Sequence, residues 1–197
     1  PYEVFDKSRL YLSEGPGVNE LGYYGPDQKE LFTCAKVTPG MEMPYKEIGY
    51  NYSVSFTIEA QEEAKGTELF RSSNAVFYLS DPRTGQLGFA RDGYLNQFNY
   101  RLPKGQKVTI TIQGDNRKTE LFVDGQKKQT LDPLTLYAMH ENEKADFFYG
   151  VEHAQKPDMY LPQSKMYYQR TLVFPFEKAG NFKSTVTDLK VYNYFKF

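Results

Sequence analysis

The stretch that decides the fold is KVTITIQGDNRKTELFVDGQKKQTL, from Lys107 to Leu131. Its first residues alternate valine and isoleucine with threonine, which is typical of a strand with one buried face. A second strand-forming run, TELFV, ends at Asp124-Gly125, and QKKQTL follows it. Asp-Gly tolerates the positive φ angles that a two-residue hairpin needs. The stretch therefore predicts neighbouring antiparallel strands, and the Asp-Gly turn serves to reverse the chain.

The same two-residue period recurs along the chain. In YNYSVSFTIEA, the side chains of Tyr52, Val54, Phe56 and Ile58 share one face, and polar residues share the other. In NQFNYRL, Phe98, Tyr100 and Leu102 alternate in the same way, so residues 96–102 are predicted as a strand. Further strand-like runs are LFTCAKV, TELF, NAVFYL, QLGFAR, TLVFPF and STVTDLKVYNYF. The pattern predicts an all-β, two-sheet antiparallel sandwich whose outer surfaces are free for recognition.

The length of 197 residues suits a single domain over residues 1–197. Two segments are irregular, at about 1–44 and 132–169, because glycine and proline punctuate the first and no period marks the second. The best helical candidate, Leu134 to Gly150, is weak. The chain begins at Pro1 and not at methionine, so we expect it to be a piece of a longer protein.

Composition excludes some classes of function. The chain carries 24 basic and 25 acidic residues, a balance that favours neither nucleic acid nor an anionic membrane. No window resembles a transmembrane span. Cys34 is the only cysteine, so no internal disulfide can form, and we expect it to act as a small apolar residue rather than as a reactive thiol.

Catalytic and metal-binding patterns are weak. No strand carries acidic residues at alternate positions, as a sandwich glycosidase needs. The acidic runs EAQEEAKGTE and HENEKAD are predicted to be solvated surface; His140, Glu141 and Glu143 could form a metal site, although neighbouring loop residues rarely do so unaided. GPDQKE and SDPRTG could lend oxygens to calcium. We expect no cofactor, with calcium as the alternative.

A surface suited to sugars is the best functional signal. A tyrosine ring packs against the C–H face of a pyranose, and arginine, asparagine, aspartate and glutamine bond its hydroxyls. Such residues are densest in FARDGYLNQFNYR, residues 89–101, and RSSNAVFYLSD adds more. The alternative is that these are ordinary sheet residues with satisfied hydroxyls, and the absence of Trp supports it. The candidate carbohydrate-binding residues are Arg71, Asn74, Tyr78, Arg91, Asp92, Tyr94, Asn96, Gln97 and Asn99.

These stretches resemble a known superfamily. LFVDG before a hairpin and DLKVYN in the last strand are typical of concanavalin A-like, laminin-G-like jelly-roll domains. PYKEIGYNYSVSFTI, GFARDGYLNQFNY and TLVFPFEKAGNFKS more narrowly resemble the C-terminal accessory domain of bacterial β-hexosaminidases of glycoside hydrolase family 20. The resemblance extends from about Tyr45 to the C-terminus and implies a jelly-roll sandwich of the concanavalin A-like type.

The resemblance also implies a role. In that family the catalytic Asp-Glu pair lies in a separate barrel, and this sequence has no Asp-Glu dipeptide. The chain is therefore expected to be a non-catalytic accessory domain of a periplasmic, cell-surface or secreted enzyme. Its expected partners are a glycan, such as one containing N-acetylhexosamine, and the catalytic domain of the parent enzyme, with no nucleic acid and no membrane.

Three alternatives remain open. A structural sandwich could dock on the catalytic domain without binding sugar. A stand-alone sandwich glycosidase is disfavoured because no strand carries the paired carboxylates. Protein–protein adhesion is the third. An open polar and aromatic groove would favour sugar binding, and an exposed apolar patch would favour docking.

Overall fold

The computed structural model describes residues 28–49, 51–73, 75–91, 94–115, 118–131 and 174–197, with Arg91 and residues 94–96 described by their backbone alone. These residues form thirteen strands and no helix. The strands are β1 (Glu30–Val37), β2 (Glu47–Ile48), β3 (Tyr52–Glu59), β4 (Glu68–Arg71), β5 (Ala75–Tyr78), β6 (Gly88–Arg91), β7 (Tyr94–Gln97), β8 (Lys107–Gly114), β9 (Thr119–Val123), β10 (Gln126–Leu131), β11 (Phe174–Pro175), β12 (Lys178–Ala179) and β13 (Thr185–Tyr192).

The strands form two main sheets. The large sheet has six strands in the order β1-β13-β3-β8-β9-β10, and the small sheet has five in the order β12-β4-β5-β6-β7. A short pair, β11-β2, makes a third ladder. Every strand pairing within the described ranges is antiparallel. The crossed order, with β13 between β1 and β3, is that of a jelly roll. The predicted all-β, two-sheet antiparallel jelly-roll sandwich is confirmed.

An aromatic cluster joins the two sheets. Phe174 of β11 is fully buried, and its ring centroid lies 6.0 Å from that of Tyr52 in the large sheet. The same ring lies 5.1 Å from Phe77 and 5.9 Å from Phe89 in the small sheet. Aromatic pairs at such separations stabilise a core beyond the area they bury. The predicted inward face of β3, which includes Tyr52, is confirmed, since its alternate residues through Ile58 have no exposed surface.

The Asp-Gly hairpin between β9 and β10 forms as predicted. Asp124 has φ 50° and Gly125 has φ 80°, and Val123 pairs with Gln126 across the turn. Asp124 also binds the start of β8: its N–H donates to the Thr109 carbonyl at 2.8 Å, and its carboxylate accepts from the Thr109 N–H at 2.8 Å. The turn therefore reverses the chain and fixes the register of β8 against β9.

Two predictions need correction. The strand predicted at residues 96–102 is β7, which begins at Tyr94 and ends at Gln97. Beyond it the Phe98 N–H donates to the Leu87 carbonyl, but the Leu87 N–H donates to the Tyr100 carbonyl, so the regular ladder does not continue. The outer surface of the large sheet is not free, because residues 193–197 cover part of it. The helical candidate at 134–150, the irregular segment 132–169, residues 1–27 of the first irregular segment and the acidic run at 140–146 lie outside the described residues.

Candidate functional site

The predicted carbohydrate-binding residues fall into three groups in the structure. Asn74 and Asp92 lie outside the described residues. Arg91, Tyr94 and Asn96 lie in β6 and β7, where the backbone register pairs Arg91 with Tyr94. The remaining four have described side chains, and with their neighbours they define the candidate site. These four are Arg71, Tyr78, Gln97 and Asn99.

Tyr78 ends β5 on the outer face of the small sheet. Its neighbour Phe77 is fully buried, and successive side chains of a strand point to opposite faces. The register places Tyr78 between Glu68 of β4 and Gly88 of β6. Burial raises the pKa of the Tyr78 hydroxyl, and the negative charges of Glu68 and Asp81 raise it further. The half-buried ring therefore carries a protonated hydroxyl at neutral pH.

Arg71 lies beside Tyr78 on the same outer face. Its Nε lies 3.0 Å from Glu68 Oε2, and the two side chains are 53% and 25% exposed. Arg71 is also opposite Val76 and Lys178 in the sheet register. The ion pair fixes the direction of the guanidinium and leaves half of the arginine side chain open to solvent. A ligand at Tyr78 would meet a forked donor group there.

Gln97 and Asp81 hold the loop that follows Tyr78. Asp81 is fully buried, and its Oδ1 accepts from the N–H groups of Arg83 at 2.8 Å and Thr84 at 3.0 Å. The Gln97 side-chain amide is oriented so that its nitrogen donates to Asp81 Oδ1 at 3.2 Å and to Thr84 Oγ1 at 3.3 Å. Gln97 is opposite Gly88, in the same row of the sheet as Tyr78. Its polar contacts are thus within the protein, where they position the loop.

Hydrogen bonds between uncharged polar residues, through side chains and backbone N–H groups, continue from this loop to the large sheet. The Gln86 N–H donates to Thr84 Oγ1 at 3.3 Å, and Gln86 Nε2 donates to Asn99 Oδ1 at 2.9 Å. The Asn99 N–H donates to Gln129 Oε1 at 2.6 Å. We call this set the polar strip, and its members are Thr84, Gln86, Gln97, Asn99 and Gln129. It runs from the end of β7 to β10 and therefore links both sheets.

Tyr100 lies near the end of the polar strip. Its backbone carbonyl accepts from the Leu87 N–H at 3.0 Å, and its partly buried ring packs against the core. Burial raises the pKa of the Tyr100 hydroxyl, and the negative charge of Asp124 adds to the effect. Tyr100 follows the strip residue Asn99 in the chain, and Tyr78 shares a row of the sheet with the strip residue Gln97.

Sequence reasoning missed several residues of this site. Thr84 and Gln86 follow Asp81 in the sequence, where the SDPRTG motif indicates, as a binding role, only oxygens for calcium. Gln129 lies in β10 just after a shift of register between Lys127 and Gln129. Bulges redirect side chains, and no alternation in the sequence reveals where one falls. The proline, threonine and glycine of SDPRTG, which are typical of a turn, are the sequence signal for this loop.

Within the described ranges, no group of three or more His, Cys, Asp or Glu side chains is placed to hold a metal ion. The same part of the chain contains no helix with the length and apolar character needed to cross a membrane.

Comparison with known proteins gives only distant likenesses. No protein-family model matches the chain, and no curated protein does. Domain 4 of AbnA, a GH43 extracellular arabinanase from Geobacillus stearothermophilus solved with arabinotriose, is 15% identical over 90% of this chain and 79% of that one, with a TM-score of 0.45. A Trypanosoma rangeli sialidase mutant displaying trans-sialidase activity is 12% identical over 92% of this chain and 30% of that one, with a TM-score of 0.39. The catalytic domain of a Thermotoga petrophila endo-1,3-β-glucanase is 12% identical over 91% and 74%, with a TM-score of 0.32. No substrate or activity of this chain follows from likenesses of this size.

Proposed function

We propose that the chain is a non-catalytic carbohydrate-binding domain, and that its site runs from Tyr78 along the polar strip. The observation that carries the proposal is the series of uncharged polar residues linked through side-chain and backbone hydrogen bonds of 2.6 to 3.3 Å, in a row of the sheet that also holds a half-buried tyrosine. Amides and hydroxyls both donate and accept, as the hydroxyls of a sugar require. The tyrosine ring supplies the apolar surface for the pyranose C–H groups.

Preorganisation supports the same assignment. Asn99 is bonded twice: its side-chain Oδ1 accepts from Gln86 Nε2, and its backbone N–H donates to Gln129 Oε1. Gln97 is fixed by Asp81 and Thr84. Side chains that are already held in place lose little conformational freedom when a ligand binds. The strip can therefore bind a neutral glycan without first ordering its own residues.

The finer assignment rests on the sequence resemblance. We propose that the domain belongs to an exported β-hexosaminidase-type glycoside hydrolase, that it requires no cofactor, and that the glycan contains N-acetylhexosamine. An acetamido group suits the strip, because its N–H and C=O pair with a glutamine or asparagine amide. The domain then holds the parent enzyme close to its substrate, and it contributes no catalytic group of its own.

Titration with oligosaccharides tests the proposal. Neutral oligosaccharides with and without N-acetylhexosamine are added to the isotope-labelled chain, and the side-chain amide signals of Gln86, Asn99 and Gln129 are followed by NMR. We expect saturable shifts at these signals, larger for the N-acetylated ligands. Gln129→Ala should weaken binding about fivefold, the loss of one ordinary hydrogen bond. Gln126→Ala is the matched control, since Gln126 is an exposed glutamine on the same strand.

Two results would contradict the proposal. Silence of the strip signals across the whole glycan panel would leave the alternative, a sandwich that docks on a catalytic domain without binding sugar. Release of product from chromogenic hexosaminides by the purified chain would overturn its assignment as non-catalytic.

A further inference from the structure

The outer face of the large sheet carries polar residues that are buried. Ser53, Gln113 and Glu120 are 0%, 1% and 3% exposed. They lie side by side, because Ser53 of β3 is opposite Gln113 of β8, and Gln113 is opposite Glu120 of β9. Buried polar groups are stable only when they are hydrogen-bonded. This row must therefore have partners above the sheet.

Residues 193–197, which follow β13, supply those partners. Ser53 Oγ donates to the Tyr194 carbonyl at 2.7 Å and accepts from the Lys196 N–H at 2.9 Å. Gln113 Nε2 donates to the Phe197 carbonyl at 3.2 Å, and its Oε1 accepts from the Phe197 N–H at 3.3 Å. Two side chains of the sheet thus contact this segment almost as a neighbouring strand would, through its backbone N–H and C=O groups.

The Phe197 side chain also contacts the large sheet. The Phe197 ring stacks on Phe122 of β9, with centroids 4.8 Å apart and an interplanar angle of 21°. Gly125 lies beside the same ring, since a Cβ atom there would be 3.8 Å from Phe197 Cε1. Phe197 is nevertheless 52% exposed, so only one face of its ring is covered.

Asn193 anchors the start of the segment, since its Oδ1 accepts from the Lys29 N–H at 2.8 Å and its N–H donates to the Lys29 carbonyl at 3.2 Å. Beyond that anchor, the Tyr194 ring lies 5.2 Å from the Tyr192 ring, and Lys196 Nζ lies 5.3 Å from the same Tyr192 ring.

Glu120 fixes the orientation of the Gln113 amide. Gln113 Nε2 donates to Glu120 Oε1 at 3.3 Å, which leaves its Oε1 to accept from the segment. Lys127 of β10 lies 2.6 Å from Glu120 Oε2, and Lys118 lies 3.4 Å from Oε1. Lys127 and Lys118 are the charged groups of the described chain that contact this carboxylate. A flipped Gln113 amide would face the carboxylate with its oxygen, which is repulsive.

We propose that Ser53, Gln113 and Phe122 form an exchangeable slot for an extended peptide with an aromatic side chain at the position of Phe197, that residues 194–197 occupy this slot in cis, and that Glu120 orients it. The slot binds backbone groups, so it tolerates different side chains except at the position that stacks on Phe122. Residues 194–197 are held by neutral hydrogen bonds, by the half-covered Phe197 ring and by the contacts of Tyr194 and Lys196 with Tyr192, each of modest strength. The segment can therefore leave and return while the sheet beneath it stays folded.

Amide hydrogen exchange in the full chain tests the occupancy. The Lys196 and Phe197 N–H groups should exchange slowly in the unmodified protein. Ser53→Ala should speed exchange at Lys196, and Gln113→Leu should speed it at Phe197, each by about five- to tenfold, as the loss of an ordinary hydrogen bond predicts. The matched control is Thr57→Val, which removes a hydroxyl of the same sheet that pairs with Thr109 at 3.3 Å. Fast exchange of both amides in the unmodified chain would overturn the proposal.

A labelled peptide tests whether the slot is exchangeable. The peptide VYNYFKF, which copies residues 191–197, is titrated against the full-length Phe197→Ala variant, whose own segment lacks the stacking ring. We expect a saturable rise in fluorescence anisotropy, with shifts of the Gln113 side-chain signals. The same peptide with its last phenylalanine changed to alanine should bind at least about fivefold more weakly. Equal binding of both peptides, or no binding by a variant that remains folded, would refute the slot.

Discussion

The outer faces of the two sheets both carry polar residues, but those residues lie in different environments. On the large sheet, Ser53, Gln113 and Glu120 are buried and bonded to residues 193–197 or to one another. On the small sheet, Tyr78 and Arg71 keep part of their surface in solvent. Polar residues at alternate positions of a strand therefore do not by themselves indicate a free surface. The polar side chains of the first face are covered by the chain itself, and those of the second keep part of their surface in solvent.

The ion pairs of the two faces show the same difference. Glu68 and Arg71 are 25% and 53% exposed, while the Glu120 side chain is 4% exposed beneath its lysine partners. An exposed pair contributes little because water screens it. Removing the partners of a buried carboxylate lowers the stability of the protein more, because burial without partners disfavours the charge. The large sheet should therefore be the more sensitive to loss of a charge.

The largest expected effect is steric and lies where β12 joins the small sheet. A Cβ atom on Gly180 would lie 2.2 Å from the Glu68 carbonyl oxygen, which is backbone and cannot move aside. Gly180→Ala should therefore lower the free energy of unfolding by about 3 kcal/mol, at the upper end for overpacking. Urea denaturation measures this change. Gly105→Ala provides the comparison for added bulk, because nothing lies within 4 Å of a Cβ atom there, although its φ of 75° also disfavours alanine. Equal stability of Gly180→Ala and the unmodified chain would contradict the close approach.

The next effect compares the two ion pairs directly. Glu120→Ala removes the acceptor of Lys127 and of Gln113, and we expect a loss of about 2 kcal/mol in the free energy of unfolding. Glu68→Ala breaks only an exposed pair and should cost less than about 1 kcal/mol. Both values come from urea denaturation at neutral pH. Equal losses would show that the outer faces do not differ as described.

Sugar binding should depend on the small sheet and not on the large one. Tyr78→Ala should weaken glycan binding by about 1 kcal/mol, roughly fivefold, because it removes one aromatic contact. Tyr78→Phe keeps the ring and should retain most of the affinity. Glu120→Gln, on the other sheet, should leave the affinity unchanged. Isothermal titration with the strongest glycan of the panel gives all three values, and unchanged affinity in Tyr78→Ala would place the site elsewhere.

The sequence predicted what depends on local chemistry. The alternation in β3 and β8 and the Asp124-Gly125 turn are local signals, and each formed as expected. The cover over the large sheet was not predictable, because Ser53 and Tyr194 are 141 residues apart in sequence, and Gln113 and Phe197 are 84 apart. A serine that alternates with apolar residues has the same pattern whether water or a peptide segment lies above it.

The candidate site was predictable only in part, for the same reason. Tyr78 and Asn99 could be chosen by residue type, since tyrosine and amides are suited to sugars. The bonds of Asn99 to Gln86 and Gln129 depend on the approach of β10 to the end of β7 and on a bulge in β10. Residue type identifies the components of such a site, and tertiary structure decides which of them meet.

The smallest expected effect is a pH dependence that separates the two kinds of carboxylate. Burial opposes the charge of Glu120, but hydrogen bonds from Lys127 and Gln113 and the charges of both lysines outweigh it, so the pKa of Glu120 lies below its ordinary value of 4.5. The folded protein then binds fewer protons at this group than the unfolded chain does. Its stabilising contribution is complete above 4.5 and is lost as the pH falls through the folded pKa.

Urea denaturation of the unmodified chain and of Glu120→Gln, from neutral pH to well below 4.5, measures this contribution. The unmodified chain should be the more stable at neutral pH, and the difference should shrink on acidification. The control is Glu62→Gln. The hydrogen bond and the charge of Lys104 lower the pKa of Glu62, but the Glu62 side chain is 78% exposed and the Lys104 side chain is 67% exposed. Because water and salt screen that pair, its removal should change stability little at any pH. A gap between the unmodified chain and Glu120→Gln that stays constant with pH would mean that Glu120 contributes through its shape and not through its charge.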